Sequence, residues 1–203
     1  MSADLLLLRH GRTVANASGL LLGRADPPLD ATGEAQAAAL AEEVATGRFG
    51  EVVRIVTSPL QRARATAAAV AALVDVDVVV DDRLVELDYG ELDGVALSDV
   101  PAEVWAAWRA DLSFRPPSGE TLLELSARVQ ELCVELLAPD RPAGVTVAVS
   151  HVSPIKAAAA WAMGVDDSVS WRMHLDPASI TAVAARGRAA ALTVFNDTAH
   201  LAR

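Results

Sequence analysis

The sequence predicts an α/β protein, a three-layer α/β/α sandwich around a mostly parallel central sheet. Three observations carry this. Short apolar runs at residues 5–8, 52–56, 76–80 and 145–149 have the length and flanks of strands buried on both faces. Longer helical patterns separate them, as parallel pairing requires. Each run then stops at polar residues: Arg9-His10-Gly11, Thr57-Ser58-Pro59, Asp81-Asp82-Arg83 and Ser150-His151. Crossover connections place such ends along one sheet edge, where open α/β sheets bind ligands.

The first strand is Leu5 to Leu8, and the imidazole and guanidinium at its end mark a candidate site. Residues 14–31 form a loop rich in Gly, Asn and Pro, long enough beside a strand end to suggest function. Thr32-Gly33-Glu34 opens a helix to about Thr46, with Leu40 and Val44 inward and Glu42 and Glu43 partly outward. Val52 to Val56 is the second buried strand. Thr57-Ser58-Pro59 then supplies an N-cap and an N1 proline for a helix to about Val74. Arg62 and Arg64 fall near its first turn, the wrong end for cations against the helix dipole. Either they meet an anion together with the free N–H groups there, or they are solvated arginines of an arginine-rich chain.

Val76 to Val80 reads as a third apolar strand. The acidic, glycine-punctuated run Asp81 to Gly94 follows, and Glu86 within it is either a general acid or part of a solvated turn. Trp105 and Trp108 share a helix face, as core packing or as a pocket wall. Pro116-Pro117-Ser118-Gly119 breaks the chain before a long amphipathic helix, Glu120 to Leu137, whose Cys133 reads as core. Val145 to Val149 is the fourth strand, and a helix from about Pro154 to Met163 stops at Gly164. Two β-prone stretches, about 179–185 and 190–195, flank the turn Arg186-Gly187-Arg188. His174 and His200 lack a strand-end context and read as surface or core residues.

Length and composition narrow the function. The 203 residues suit one domain, 1–203, with a core of Ala, Val and Leu, since 52% are apolar and only 4% aromatic. A formal charge of −10 argues against nucleic-acid and anionic-membrane partners. Lys156 is the only lysine, so the basic residues are otherwise arginine. One cysteine excludes an internal disulfide, and the four histidines form no metal-binding spacing, so neither metal nor cofactor is expected. No signal peptide or membrane-length run is present, which leaves a cytoplasmic location as the expectation.

Two histidines, two or more arginines and one carboxylate on one edge suit phosphoryl transfer through a covalent histidine intermediate. The motifs are similar to those of the histidine phosphatase superfamily, also called phosphoglycerate mutase-like. Arg9-His10-Gly11 with Thr13 and Asn16 resembles its first motif, continued by Gly23-Arg24-Ala25-Asp26-Pro27-Pro28-Leu29 with Gly33 and Gln36-Ala37. Thr57 to Ala63 with Thr66-Ala67, Glu86 with Tyr89-Gly90 and Gly94, Ser118-Gly119-Glu120-Thr121, and Ser150-His151 complete the series.

The resemblance implies His10 as nucleophile, Arg9, Arg62 and His151 as clamps on the phosphoryl oxygens, and Glu86 as proton donor. It places Thr13 and Asn16 in the phosphate pocket, with Gly23, Ser58, Trp105 and Trp108 as further substrate-binding candidates. It implies a metal-independent phosphomonoesterase acting on a small phosphorylated metabolite. Ser150 to Lys156 is similar to α-ribazole-phosphatase-like and actinobacterial acid phosphatase domains.

Some residues depart from the pattern. Arg12 replaces a usual Glu and would add charge at the pocket mouth. Val152-Ser153-Pro154 replaces a glycine run, which puts phosphate contacts from that turn in question. Residues 94–116 carry only Arg109 and Arg115, too few cations for a mutase that must hold a second anion. Asp88, Glu91, Asp93, Asp99, Glu103 and Asp111 predict an acidic wall and hence an ester with a neutral or weakly cationic, nucleoside-like body. The alternatives are a cofactor-dependent mutase and a catalytically weak phosphate-binding regulatory module. A small-molecule phosphomonoester is the expected partner, with a homodimer left open.

Overall fold

A computed structural model of the chain describes residues 3–187 and 189–202. It contains a six-stranded sheet in the order β3-β2-β4-β1-β5-β6. The strands are β1 (Leu5–Arg9), β2 (Val52–Thr57), β3 (Val78–Val80), β4 (Val145–Ser150), β5 (Ile180–Arg186) and β6 (Ala189–Asp197). β1 pairs in parallel with β4, and β2 with β3 and β4, while β5 runs antiparallel between β1 and β6. The sheet is thus mostly parallel, as the spacing of strands and helices predicts.

The helices are α1 (Val14–Ala17), α2 (Ala31–Ala45), α3 (Gln61–Val74), α4 (Ala102–Ala110), α5 (Leu122–Leu136) and α6 (Val152–Met163). The four leucines of β1 divide strictly by parity, because successive strand side chains face opposite ways. Leu5 and Leu7 join Leu125, Val129 and Leu132 of α5 and Ile155 and Ala158 of α6. Leu6 and Leu8 join Leu40 and Val44 of α2 and Ala63, Ala67 and Val70 of α3. Two cores, one on each face, make three layers. Cys133 is buried in the first, and His200 is buried, whereas His174 is exposed.

Several boundaries differ from expectation. α2 starts earlier because Asp30, not Thr32, caps it, accepting the Gly33 N–H at 2.8 Å. Glu43 is buried rather than outward, paired with Arg48 at 2.9 Å. Ser58 and Pro59 precede α3 without capping it, and Leu60 occupies the N-cap. Only Val78–Val80 of the third apolar run is strand. It is the sheet's edge, so Val79 and Val80 stay exposed instead of buried. α6 begins at Val152, two residues before expected, which the proline tolerates because Pro154 lies in the first turn, where no N–H is required. The long loop after β1 contains α1, closed by a reciprocal cap between Thr13 and Asn16. Arg188 of the expected β5–β6 turn lies outside the described residues. Among these residues no helix is long and apolar enough to cross a membrane.

Backbone packing fixes the turn after β1. A Cβ on Gly11 would lie 2.3 Å from the Gly33 carbonyl oxygen, and one on Gly33 would lie 2.0 Å from that of Arg12. Only two glycines allow this approach. The turn is thereby pressed onto the start of α2.

Candidate active site

The C-terminal ends of β1, β2 and β4 bring His10, Ser58 and His151 to one edge. His10 and His151 follow the paired strands β1 and β4, and their rings lie 5.0 Å apart between centroids. Both are buried. Nδ1 of His10 sits 2.7 Å from the Gly11 carbonyl oxygen, an acceptor, so this nitrogen carries the hydrogen. Nε2 accepts from the Nε–H of Arg62 at 3.3 Å. Burial, then the charges of Arg9 and Arg62, holds the His10 imidazole well below the ordinary histidine value. It is neutral, with its lone pair on Nε2.

His151 caps α6 by position. Its Nε2 contacts the Ser58 hydroxyl at 2.7 Å, and that oxygen also accepts the Leu60 N–H at 3.3 Å. The Ser58 hydroxyl donates to Nε2 in the tautomer with the hydrogen on Nδ1 and accepts from Nε2–H in the other. Burial, His10 and the guanidiniums hold this imidazole well below its ordinary value too. Nδ1 is buried and has no hydrogen-bond partner among the described residues. The same is true of Nε in Arg9, whose Nη1 donates to the Leu175 carbonyl. Burial pulls the Arg9 guanidinium down to about 10, so it stays charged.

Arg62 is completely buried in the first turn of α3. Its Nη2 donates to the Gly23 carbonyl at 2.8 Å and its Nη1 to that of Ala25 at 2.7 Å. The guanidinium therefore ties the loop after α1 to His10. The α3 N-terminus itself is capped from outside, the Gln61 N–H donating to the Asp26 carboxylate at 2.8 Å.

Glu86 is held by backbone. Oε1 accepts from Leu87 N–H at 2.7 Å and Ser153 N–H at 3.1 Å, and Oε2 from Val152 N–H at 3.0 Å. The residues that replace the expected glycines thus serve the carboxylate through N–H groups at the start of α6. No glycine conformation is required there.

A cavity of about 480 Å³ opens at this edge, with Arg9, His10 and Glu86 in its wall. Of the substrate-binding candidates, Asn16, Trp105 and Trp108 also line it. Thr13, Gly23 and Ser58 lie just outside, occupied as helix cap, Arg62 acceptor and His151 partner. Arg62 and His151 adjoin His10 without lining the cavity themselves. Trp108 is both core and wall, stacked on Trp105 at 5.8 Å and edge-on to Trp171 at 5.9 Å.

The remaining wall overturns the expected acidity. Its apolar part includes Leu20, Leu21, Leu22, Leu97 and Trp171, its polar groups come from Tyr89, Ser153, Lys156, Ser170 and His174, and none of the six acidic residues lines it. Asp93 instead accepts the N–H groups of Gly23 and Ala25, and Asp88 and Asp111 accept those of Gly90 and Ser113. Arg12 is turned to Asp30 at 2.8 Å and adds nothing to the pocket mouth. Lys156 and His174 line the cavity and escaped the sequence reading, as did Leu20 to Leu22, although three leucines in a row within a polar loop are a usable signal.

Residues 5–198 match the sequence model of the histidine phosphatase superfamily, branch 1. Bifunctional protein Rv2228c of Mycobacterium tuberculosis is 38% identical over 180 residues, covering 87% of this chain and 49% of that protein, so the chain spans about half the length of this relative. Phosphoserine phosphatase 1 of Hydrogenobacter thermophilus is 30% identical over 203 residues, 97% of this chain and 93% of that one. Mycobacterial glucosyl-3-phosphoglycerate phosphatase, solved with VO3, superposes with a TM-score of 0.87 at 29% identity over 97% of this chain and all of that structure. The sequence match over nearly the whole chain and the shared sheet architecture agree: the chain belongs to the histidine phosphatase superfamily, branch 1.

Proposed function

We propose that the protein is a metal-independent phosphomonoesterase that works through a phosphohistidine on His10. The observation that carries this is a neutral imidazole, bare of hydrogen at Nε2, beside two buried nitrogens without partners among the described residues: Arg9 Nε, and His151 Nδ1, a donor in the tautomer that has Ser58 donating to Nε2. Buried donors of this kind cost free energy unless a ligand accepts from them, and a phosphoryl group offers three acceptor oxygens.

With an ester bound, the Arg62 Nε–H exchanges the Nε2 lone pair for a phosphoryl oxygen; Nε2 then attacks phosphorus, and the N–P bond forms as the ester P–O bond breaks. Arg9, Arg62 and His151 hold the equatorial oxygens, where charge stabilisation contributes most to phosphoryl transfer. Glu86 protonates the departing alkoxide, and Oε2, with a single close backbone donor, is the oxygen to carry that proton. The resulting carboxylate then takes a proton from water as the water oxygen displaces the histidine. Alcohol and inorganic phosphate leave, and His10 returns to its starting state.

The cavity supports an ester with an apolar, ring-bearing body that packs on Trp105 and the leucines, in place of the weakly cationic body that an acidic wall would have selected. Hydrolysis is favoured over a mutase reaction by the two arginines of the 94–116 stretch. Arg109 lies over the Trp105 and Trp171 rings, and Arg115 pairs with Glu124.

The test is phosphate release in excess EDTA from aryl phosphates, nucleoside monophosphates, phosphoserine and 3-phosphoglycerate, with His10→Ala alongside. Release that vanishes in the variant, with acid-labile, base-stable phosphate trapped on the wild type, is the expected result. Release that persists in His10→Ala defeats the mechanism, and conversion of phosphoglycerate without free phosphate would favour the mutase.

A further inference from the structure

We propose that Asp93 is a positioning residue for this reaction, holding Arg62 on His10 through the backbone of residues 23–25. The proposal rests on the phosphohistidine reading above. Asp93 Oδ1 accepts from Gly23 N–H at 2.8 Å and Oδ2 from Ala25 N–H at 2.7 Å. The carbonyls of the same two residues accept from Nη2 and Nη1 of Arg62, at 2.8 and 2.7 Å. Each of these residues is thus fixed at both its N–H and its C=O. Nε of Arg62, the remaining nitrogen, donates to His10 Nε2.

Arg62 needs such support. It is fully buried, it sits in the first turn of a helix whose dipole opposes it, and its nearest carboxylate oxygen, on Asp26, is 3.9 Å away. Neutral carbonyls hold it, and their direction is set by Asp93 from the far side of the loop. The loop has little other freedom: a Cβ on Gly23 would lie 2.8 Å from the Leu87 carbonyl oxygen and 2.9 Å from the Tyr89 ring. Residues 19–21 also pair with 94–97, Leu21 N–H donating to Val95 O and Gly94 N–H to Leu21 O, both at 2.8 Å. Asp93 stands where this ribbon meets the Arg62 loop.

The consequence for the nucleophile concerns its proton. The charged and titratable groups around His10 are Arg9 on its own strand, Arg62 from α3, Glu86 and Tyr89 from the loop after β3, His151 and Lys156 at the start of α6, and His174 before β5. A guanidinium Nε–H on the His10 lone pair opposes protonation there. If the loop carbonyls drift, Arg62 leaves that position and His10 takes a proton more readily. A role limited to loop stability would raise KM and leave this acid limb alone.

The experiment measures kcat, KM and the pH profile of p-nitrophenyl phosphate hydrolysis for wild type, Asp93→Asn, Asp93→Ala, Arg62→Ala and the Asp93→Ala/Arg62→Ala pair, with His10→Ala as control. Asp93→Ala is expected to lower kcat about ten- to a hundredfold, as a misplaced catalytic group does. KM should stay within about twofold and the acid limb of kcat/KM should move to higher pH. Asp93→Asn, which keeps one carbonyl acceptor in the same shape, should fall between. The double variant should be no slower than Arg62→Ala, because Asp93 acts through that residue. A wild-type kcat in both Asp93 variants, an unmoved acid limb, or multiplicative losses in the pair would overturn the proposal while leaving the phosphohistidine reading intact. Hydrolysis that survives in His10→Ala overturns both.

Discussion

The backbone N–H of Ser153 spans both carboxylate oxygens of Glu86, at 3.1 and 3.4 Å. Glu86 is thereby fastened to the same helix start that carries His151, and the proposed acid and clamp keep one spacing. Glu86→Gln sets an amide NH2 against at least one of the N–H groups that now donate to the carboxylate. Its kcat on alkyl phosphates should fall about 10²- to 10⁴-fold, the usual share of general acid–base catalysis. The loss on p-nitrophenyl phosphate should be much smaller, since nitrophenolate leaves without protonation. Equal losses on both esters, measured by phosphate release, would argue that Glu86 serves structure and not proton transfer.

Arg62→Ala should cut kcat about 10²- to 10³-fold, as removal of one charge-stabilising donor does. Arg62→Lys should not restore it. A single ammonium lacks the planar fork that reaches Gly23, Ala25 and His10 at once. Steady-state kinetics beside circular dichroism decide the matter, and a Lys variant near the wild-type rate would count against the geometry.

His10 and His151 are both buried and held well below the ordinary histidine value, by burial first. Below pH 6.5 the unfolded chain binds protons at these positions that the folded chain does not. Stability therefore falls as pH drops from 6.5 towards the depressed native values, by up to about 1.4 kcal/mol per pH unit for each histidine. Urea unfolding at pH 7 and pH 5 should show this slope, and replacing both histidines with asparagine should flatten it.

Gly33→Ala puts a methyl group 2.0 Å from the Arg12 carbonyl oxygen. Backbone cannot yield as a flexible side chain does, so the variant should lose about 1–3 kcal/mol, an overpacking cost, together with activity at the adjoining His10 turn. A thermal midpoint equal to wild type would show that α2 and the turn can separate freely.

Trp105→Ala removes the ring stacked on Trp108 from the cavity wall. KM for aryl phosphates should rise several-fold to tenfold, roughly the 1–1.5 kcal/mol of a ring contact, while inhibition by inorganic phosphate stays unchanged. A shift in both would place Trp105 in the core alone.

How legible this was depends on range. β1, β2 and β4 and the long helices follow from apolar period, which is local, and the strand-end residues His10, Ser58 and His151 follow from topology. Glu86 at the same edge follows as well, but its anchoring to α6 does not, because its partners are N–H groups of Val152 and Ser153 that carry no sequence signal. The acidic residues of the 88–111 stretch misled for the complementary reason. Composition shows that carboxylates are present, yet Asp93 and Asp88 bind backbone and the leucines of another loop form the wall. Val79 and Val80 read as core because hydrophobicity alone cannot distinguish an edge strand from a central one.

The placement of β1 also dictates when the molecule can fold. Leu5 pairs with Thr146 on one side and Val183 on the other, so β1 has no neighbour until β4, about 140 residues further on, has been made. At about 5–20 residues per second that wait is roughly 7–28 s. Throughout it, four consecutive leucines stand unpaired on the nascent chain, and the arginines and histidines of the site remain scattered. Premature termination before β4 would thus release not a weakened fold but a sticky strand without either of its sheet neighbours, the kind of segment that chaperones exist to shield.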